Sequence, residues 1–310
     1  MKYLIGTRGS KLSVSQTNWV VSELKKENPD SDYEIKTITT KGDTDARPLF
    51  TINQKGIFEK EIDKAVAEKQ VDFAVHSLKD VPSILPDDLI LGCVPPRESF
   101  NDIFISKNGD TLDTIKEGAL IGTSSLRRAV QVFRKRPDLQ VKTIRGNVET
   151  RINKVQDGTF DGIVLAQAGI NRLGVNVKHT PLPLDDFPPS PGQGALGIVC
   201  RKNDNQTISM LQKIQDNNSR IAVESERVLS EFVDSGCRFP VGAFAQINGE
   251  TLDLTVIAYS IDGKQALVVT KSGNKSNPYK IGKEAAEELQ RKGVNDLAKD
   301  WRAKLDEWNK

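Results

Sequence analysis

The sequence is poor in cysteine: Cys93, Cys200 and Cys237 are the three present in 310 residues. They are odd in number and far apart, which excludes a disulfide framework and the spacing of a structural zinc site. No metal is expected. A long apolar run is also missing, so no membrane association is expected. The N-terminal Met1-Lys2-Tyr3-Leu4-Ile5-Gly6 turns polar at Thr7 and Arg8, too early for the apolar core of a secretory signal. Nor does charge of one sign dominate: 44 Lys and Arg against 42 Asp and Glu leave +2. That balance argues against a general nucleic-acid coat, which needs a global basic field. Internal repeats and low-complexity tracts are absent. What remains is an ordinary composition, 28% charged and 37% hydrophobic, expected of a cytoplasmic protein with free thiols. A chain of 310 residues is long for one core, and two or three domains are expected.

Taken in order, Lys2 to Gly6 reads as a strand and Ser10 to Glu27 as a helix that stops at Asn28-Pro29. Between them Arg8 stands beside Ser10, a potential N-cap. A helix N-terminus favours an anion, although a plain cap reads the same way. Tyr33 to Thr39 alternates as a strand. Thr40 to Lys55 has little periodicity, which at that length marks a lid, a binding loop or disorder. Ile57 to Lys69 reads as a helix, and Val71 to Val75 as a buried strand ending in His76-Ser77-Leu78-Lys79-Asp80-Val81-Pro82. Ligands of open α/β sheets bind outside the carboxyl ends of strands; a plain surface loop is the competing reading. Leu89 to Val94 and Asp102 to Ser106 complete what reads as one sheet. Strands alternating with helices imply α/β with largely parallel pairing.

A second α/β unit begins near residue 100. Its strands are Ala119 to Gly122, Val141 to Ile144 and Asp161 to Leu165; its helices are Leu126 to Lys135, Val148 to Gln156 and Ala168 to Leu173. Arg127, Arg128, Arg145, Arg151 and Arg172 all fall near the loops that follow strands. Arginine pairs bidentately with carboxylates and phosphates, and solvated surface arginines need no such clustering, so this face is expected to bind a polyanion.

Pro181 to Pro191 is proline-rich and reads as a crossing between domains. Gly192-Gln193-Gly194-Ala195-Leu196-Gly197-Ile198 follows; it lacks both the spacing and the strand–turn–helix setting of a dinucleotide site. From about residue 216 the pattern changes to a helix, Ser219 to Val233, then strands Val241 to Ile247, Leu252 to Tyr259 and Gln265 to Thr270, joined by the hairpin dipeptides Asn248-Gly249 and Asp262-Gly263. A helical C-terminus completes an α+β unit. Cys93 and Cys200 lie in apolar strands, where a thiol acts as a small hydrophobe. Cys237 sits instead in a glycine-bearing loop beside Arg238, a cation that can lower a thiol pKa; an inert loop cysteine and an attachment point or nucleophile both fit.

His76-Ser77-Leu78-Lys79-Asp80-Val81-Pro82, Gly122-Thr123-Ser124-Ser125-Leu126-Arg127-Arg128, Arg145-Gly146-Asn147-Val148, Gly192-Gln193-Gly194-Ala195 and Gly236-Cys237 together resemble the porphobilinogen deaminase (hydroxymethylbilane synthase) family. The match runs in one order from Thr7-Arg8 past Cys237. The resemblance implies two α/β domains like those of periplasmic binding proteins and a C-terminal α+β domain with a small antiparallel sheet. The divisions it implies are 1–98 plus about 193–215, 99–192, and 216–310. It implies a monomeric transferase that binds neither nucleic acid nor membrane. Four porphobilinogen molecules would be condensed head to tail with loss of ammonia, through linear oligomers, on a dipyrromethane cofactor, and water would then free hydroxymethylbilane. By that resemblance Cys237 holds the cofactor covalently and Asp80 is catalytic. Ser77, Lys79, Thr123, Ser124, Ser125, Arg127, Arg128, Arg145, Gly146 and Gln193 would contact the cofactor. Arg8, Ser10, Lys55, Phe58, Arg151 and Arg172, again with Arg128 and Arg145, would hold substrate carboxylates. His76 is expected to be a packed histidine. The sequence departs from the family at Arg238, where many members carry glutamine, and at Thr51, where some carry lysine.

Overall fold

The structure is a computed structural model that describes residues 1–41, 59–232 and 240–298. The first lobe is built on a five-stranded sheet of β1 (Lys2–Thr7), β2 (Asp32–Thr37), β3 (Phe73–Ser77), β4 (Leu89–Cys93) and, from much later in the chain, β10 (Leu196–Arg201), in the order β2-β1-β3-β10-β4. Successive side chains of a strand point to opposite faces, and β3 serves two cores in this way. Phe73 and Val75 join Ile5, Val20, Leu24 and Leu211 under helices α1 (Lys11–Glu27) and α6 (Asn205–Gln212). Ala74 joins Ile62, Val66 and Val199 under α2 (Lys60–Ala67).

The second lobe repeats the scheme. Its sheet has β5 (Asp102–Ser106), β6 (Leu120–Gly122), β7 (Gln140–Lys142), β8 (Gly162–Ala166) and β9 (Thr180–Pro181), in the order β7-β6-β8-β5-β9. Helices α3 (Leu126–Lys135), α4 (Val148–Gln156) and α5 (Gln167–Leu173) cover it. Ser125 and Asn147 cap α3 and α4, each accepting a backbone N–H with its side-chain oxygen.

Two sequence-based expectations are corrected here. Asp102–Ser106 belongs to the second sheet and not to the first. The pairing is also mixed where largely parallel strands were expected: β1 is parallel to β2 and β3, but β10 is antiparallel to both β3 and β4. In the second sheet β6 is parallel to β7 and β8, while β5 is antiparallel to β8 and β9. The cause is that the chain crosses between lobes twice. It enters each lobe at the edge where the parallel strands end, so the entering strand must run back against them. Leu196 at the start of β10 therefore pairs with Ser77 at the end of β3, and Asp102 at the start of β5 pairs with Ala166 at the end of β8.

The C-terminal unit is an antiparallel sheet of β11 (Val241–Asn248), β12 (Thr251–Tyr259) and β13 (Ala266–Asn274). It packs on α7 (Asn217–Phe232), α8 (Pro278–Arg291) and α9 (Val294–Ala298), with Leu229, Leu252, Leu254, Val256, Ile281 and Leu289 in its core. Two α/β units and a C-terminal α+β unit are thus the fold class found. The three units meet at Glu226 of α7, which is fully buried. Its carboxylate accepts from Arg97 Nη1 at 2.7 Å and Nη2 at 3.0 Å, from the Gly192 amide at 2.7 Å and from the Ala245 amide at 2.8 Å. Those groups belong to the outgoing crossing, the returning crossing and β11. Among the described residues no helix is long and apolar enough to cross a membrane.

Candidate functional site

Parallel strands bring their carboxyl ends to one edge, and the two sheets turn these edges toward each other. From the first lobe the edge carries Arg8 and Ser10 after β1, and Ser77, Lys79 and Asp80 after β3. From the second it carries Thr123, Ser124 and Ser125 after β6, Arg145 and Gly146 after β7, and Arg172 in the helix after β8. Gln193, in the returning crossing, joins the two edges. Its Oε1 accepts from Lys79 Nζ and from Arg128 Nη2, each at 3.3 Å. Its Nε2 donates to Asp102 Oδ1 at 2.7 Å and to the Phe100 carbonyl at 2.8 Å.

Asp102 is the central group that sequence reasoning missed. It is fully buried, and besides Gln193 it accepts from Arg127 Nη2 (2.9 Å), Arg128 Nε (3.1 Å) and Arg128 Nη2 (2.7 Å). Burial alone would raise its carboxyl pKa, but the two guanidiniums and their hydrogen bonds hold it well below the usual carboxylate range. Arg127 is further committed to Gln131 Oε1 at 2.8 Å and to the Pro188 carbonyl at 2.6 Å. The two adjacent arginines of the helix thus differ. Arg127 braces the helix against the crossing, whereas Arg128 reaches Gln193 at the seam between lobes.

Around this anion the cations accumulate. The Lys79 ammonium is pushed down to about 8 by burial and then by Arg128, with Asp80 and Asp102 opposing. Arg151 is pushed down to about 10 by burial, Arg128 and Arg145. Arg145 leaves Nε and Nη2 buried with no hydrogen-bond partner among the described residues. Unpaired buried donors on a cation are costly, and a bound carboxylate would satisfy them. Arg172 donates to the Gly194 carbonyl at 2.7 Å, and its burial pushes it down to about 10 against the pull of Glu98.

The smaller residues shape the walls. Ser10 caps α1 by accepting the Ser13 amide at 3.2 Å, and Ser77 pairs with Gln16, whose Nε2 donates at 2.9 Å. Ser124 donates to the Ile144 carbonyl, tying the turn after β6 to the Arg145 loop; Thr123 is buried and accepts the Ser125 amide. Gly146 has φ +117°, and a Cβ there would lie 2.6 Å from Thr150 Cγ2, so the loop that carries Arg145 depends on glycine. His76 is buried, with Nε2 3.0 Å from Asp63 Oδ1, as expected of a packed histidine. Lys55, Phe58 and Cys237, with Thr51 and Arg238, lie outside the described residues. At the rim two contacts join the lobes: Lys11 Nζ to Glu149 Oε1 at 2.5 Å, and Ser15 Oγ to the Arg172 carbonyl at 2.6 Å.

A half-buried carboxylate, Asp80, therefore faces a set of half-buried cations whose charge exceeds that of Asp102. The arrangement suits a ligand that bears several carboxylates. Comparison with known proteins places the chain among relatives of one kind. Residues 3–209 match the family model described as porphobilinogen deaminase, dipyromethane cofactor binding domain, and residues 220–291 match that of the porphobilinogen deaminase C-terminal domain. A probable porphobilinogen deaminase of Nitrosopumilus maritimus is 67% identical over 310 residues, 100% of both chains. The porphobilinogen deaminase of a Geobacillus species is 44% identical over 300 residues, 96% of both. Among solved structures, the substrate binding domain of a putative molybdenum ABC transporter from Clostridium difficile overlaps 69% of this chain and 92% of its own, at 10% identity and a TM-score of 0.46.

Proposed function

The chain belongs to the porphobilinogen deaminase family, and on that premise we propose that its cleft extends a covalently held dipyrromethane by four porphobilinogen units, with loss of ammonia at each, before water releases hydroxymethylbilane. The reaction makes it a transferase of tetrapyrrole synthesis. The observation that carries the reading is the cation cluster of Lys79, Arg128, Arg145 and Arg151, with two buried donors of Arg145 unsatisfied. Each pyrrole brings an acetate and a propionate, so a growing chain adds negative charge where these donors wait.

The residues fit dipyrromethane on the same ground. Lys79, Arg128 and Arg145, with Ser77, Ser124, Ser125, Gln193 and the Gly146 backbone, would hold its carboxylates, and Cys237 would carry the thioether. When bound, the group supplies the chain end that is extended. Thr123 supports the Ser125 turn. Arg127, taken up by Asp102, Gln131 and Pro188, serves as a brace for Arg128. Arg8, Ser10, Lys55, Phe58, Arg151 and Arg172 would receive the incoming substrate.

The chemistry falls to Asp80. Loss of ammonia from porphobilinogen breaks a C–N bond, the electron pair leaves with nitrogen, and a cationic ring remains. A fixed carboxylate beside the pyrrole N–H stabilises that cation. The departing amine takes up a proton, and the ring carbon that gains the new bond gives one up, so one carboxyl group can serve both transfers.

The three-part division 1–98 with about 193–215, 99–192, and 216–310 is supported by β10 pairing in the first sheet and β5 in the second. A monomeric, cytoplasmic protein that binds no nucleic acid completes the proposal, supported by the buried thiols of Cys93 and Cys200 and the balanced charge. Intact mass after production in a haem-competent cell tests the whole. An adduct of two linked pyrroles, absent from Cys237→Ser and growing on incubation with porphobilinogen, is expected. An unmodified wild-type mass, with no ammonia released, would refute it.

A further inference from the structure

The turn that carries Asp80 is short. Residues Leu78–Asp80 form a single 3-10 turn closed by the Val81 amide donating to the Leu78 carbonyl at 3.1 Å. On one flank it hangs from the returning crossing, the Leu78 amide donating to the Ala195 carbonyl at 3.0 Å. On the other, the chain runs on through Val81, Pro82 and Ser83, outside any strand or helix. Backbone carbonyls in such a segment need donors. They receive them from one side chain of the C-terminal unit: Arg227 Nη1 donates to the Val81 carbonyl at 3.1 Å, and Nη2 to those of Pro82 and Ser83 at 2.7 and 3.4 Å. Behind these contacts is a groove of about 430 Å³ lined by Ser83, Leu85, Leu91, Arg220, Arg227 and Tyr279. The segment that follows the turn thus reaches this groove at Ser83.

Arg227 is the neighbour of Glu226 in α7. At 3.6 residues per turn, adjacent side chains leave a helix about 100° apart, so the two reach different targets. Glu226 holds the Gly192 amide, and with it the segment from which Leu78 hangs. Arg227 holds the far flank. One helix thereby grips the Asp80 turn on both sides, and that helix ends at Phe232, shortly before Cys237.

We propose that Arg227 is a positioning residue for Asp80: by clamping the carbonyls of residues 81–83 it fixes the carboxylate relative to the helix that leads to Cys237. The inference rests on the reading of Asp80 given above. A guanidinium suits the task because its planar fork offers several donors at fixed angles, whereas an ammonium offers a point charge.

Loaded protein carrying Arg227→Met or Arg227→Lys tests it, with ammonia release from porphobilinogen as the readout. Intact mass is expected to keep the adduct and KM to stay within about threefold, because the carboxylate-binding cations are untouched. The kcat is expected to fall at least about tenfold in the methionine variant, the scale set by a catalytic group misplaced by a fraction of an ångström to an ångström. Lysine should restore part of it. In an Asp80→Glu background, where the carboxylate is already displaced, the same Arg227 change should cost less than about threefold. A kcat within about twofold of wild type, or an equal loss in both backgrounds, overturns the proposal. If the methionine variant fails to fold or to load, the lysine variant carries the same comparison. A wild-type protein that releases no ammonia refutes the function and not the clamp, so the two failures are separable.

Discussion

Replacing Asp102 by asparagine gives the sharpest test of how the cleft is held together. The carboxylate takes four N–H donors from Arg127, Arg128 and Gln193 and is fully buried. At an effective dielectric constant near 20, each guanidinium about 4 Å away contributes about 4 kcal/mol of attraction. Desolvation of the three charges offsets much of this. Asparagine keeps the shape, removes the charge and turns an amide N–H₂ toward donors, leaving two buried guanidiniums without a counterion. Breaking a buried pair in this way costs about 3–5 kcal/mol. Unfolding entropy of about 2.1 cal/mol/K per residue gives about 0.65 kcal/mol/K for the chain unfolding as one unit, so the melting temperature should fall by about 5–8 °C. Calorimetry at several pH values adds a signature. The folded-state pKa of Asp102 lies below its unfolded value, so its stabilisation is complete above the ordinary carboxyl range near 3.9 and is lost as pH falls through and below it. The gap between wild type and variant should be constant from about pH 8 to 5 and narrow below about pH 4. Citrate should raise the melting temperature of the variant more than that of wild type, because it supplies the missing counterion. A loss under about 1 °C, or a gap that widens in acid, would refute the assignment.

Arg145→Ala removes a side chain with two buried, unsatisfied donors; thermal stability should be unchanged or raised by up to about 1 kcal/mol, while KM for porphobilinogen rises at least about tenfold. A large stability loss would show that Arg145 is satisfied within the protein. Lys79, pushed down to about 8, loses its charge in the folded state as pH rises through that value, so kcat/KM should decline above about pH 8. Lys79→Arg should erase the inflection, and its persistence would assign it elsewhere. Asp80→Ala should lower kcat at least about a hundredfold with carboxylate binding retained; a retained rate would remove Asp80 from the chemistry. Gly194→Ala should destabilise by about 1–3 kcal/mol in urea melts, because φ is +84° and the new Cβ would lie 2.4 Å from the Glu98 carbonyl oxygen.

Much of this was legible in the chain because the signals are local. Short apolar runs ending in His76-Ser77-Leu78-Lys79-Asp80 or Thr123-Ser124-Ser125 mark strand ends, and the arginines sit at fixed offsets from them. Strand direction was not legible. Nothing within Ile103-Phe104-Ile105 tells whether the strand is parallel or antiparallel; that depends on which edge the chain enters. Asp102 was missed for the same reason. It reads as a polar residue opening an apolar strand, and its partners are 25 and 26 positions away in a helix whose approach only the crossing explains. Arg127 and Arg128 look equivalent in sequence, and their neighbours Pro188 and Gln193 decide their different roles. Glu226 and Arg227 lie in the helix expected from Ser219 to Val233, but their targets lie in segments that no periodicity links to them.

The junction at Glu226 bears on how one cleft admits a lengthening ligand. A single carboxylate holds the outgoing crossing through Arg97, the returning crossing through Gly192 and the third unit through Ala245. That junction adds to the ties between lobes made by Gln193 and by Ser15 on the Arg172 carbonyl. The Lys11–Glu149 ion pair lies on the opposing helices α1 and α4 at the cleft rim, and it is largely exposed on the lysine side and partly so on the glutamate side. An exposed pair of this kind contributes about 0–1 kcal/mol, so it parts at little cost. The Lys11–Glu149 pair is thus a weak tie across the cleft, whereas Lys79, Gln193 and Arg128 are bound in one chain of hydrogen bonds at its inner end.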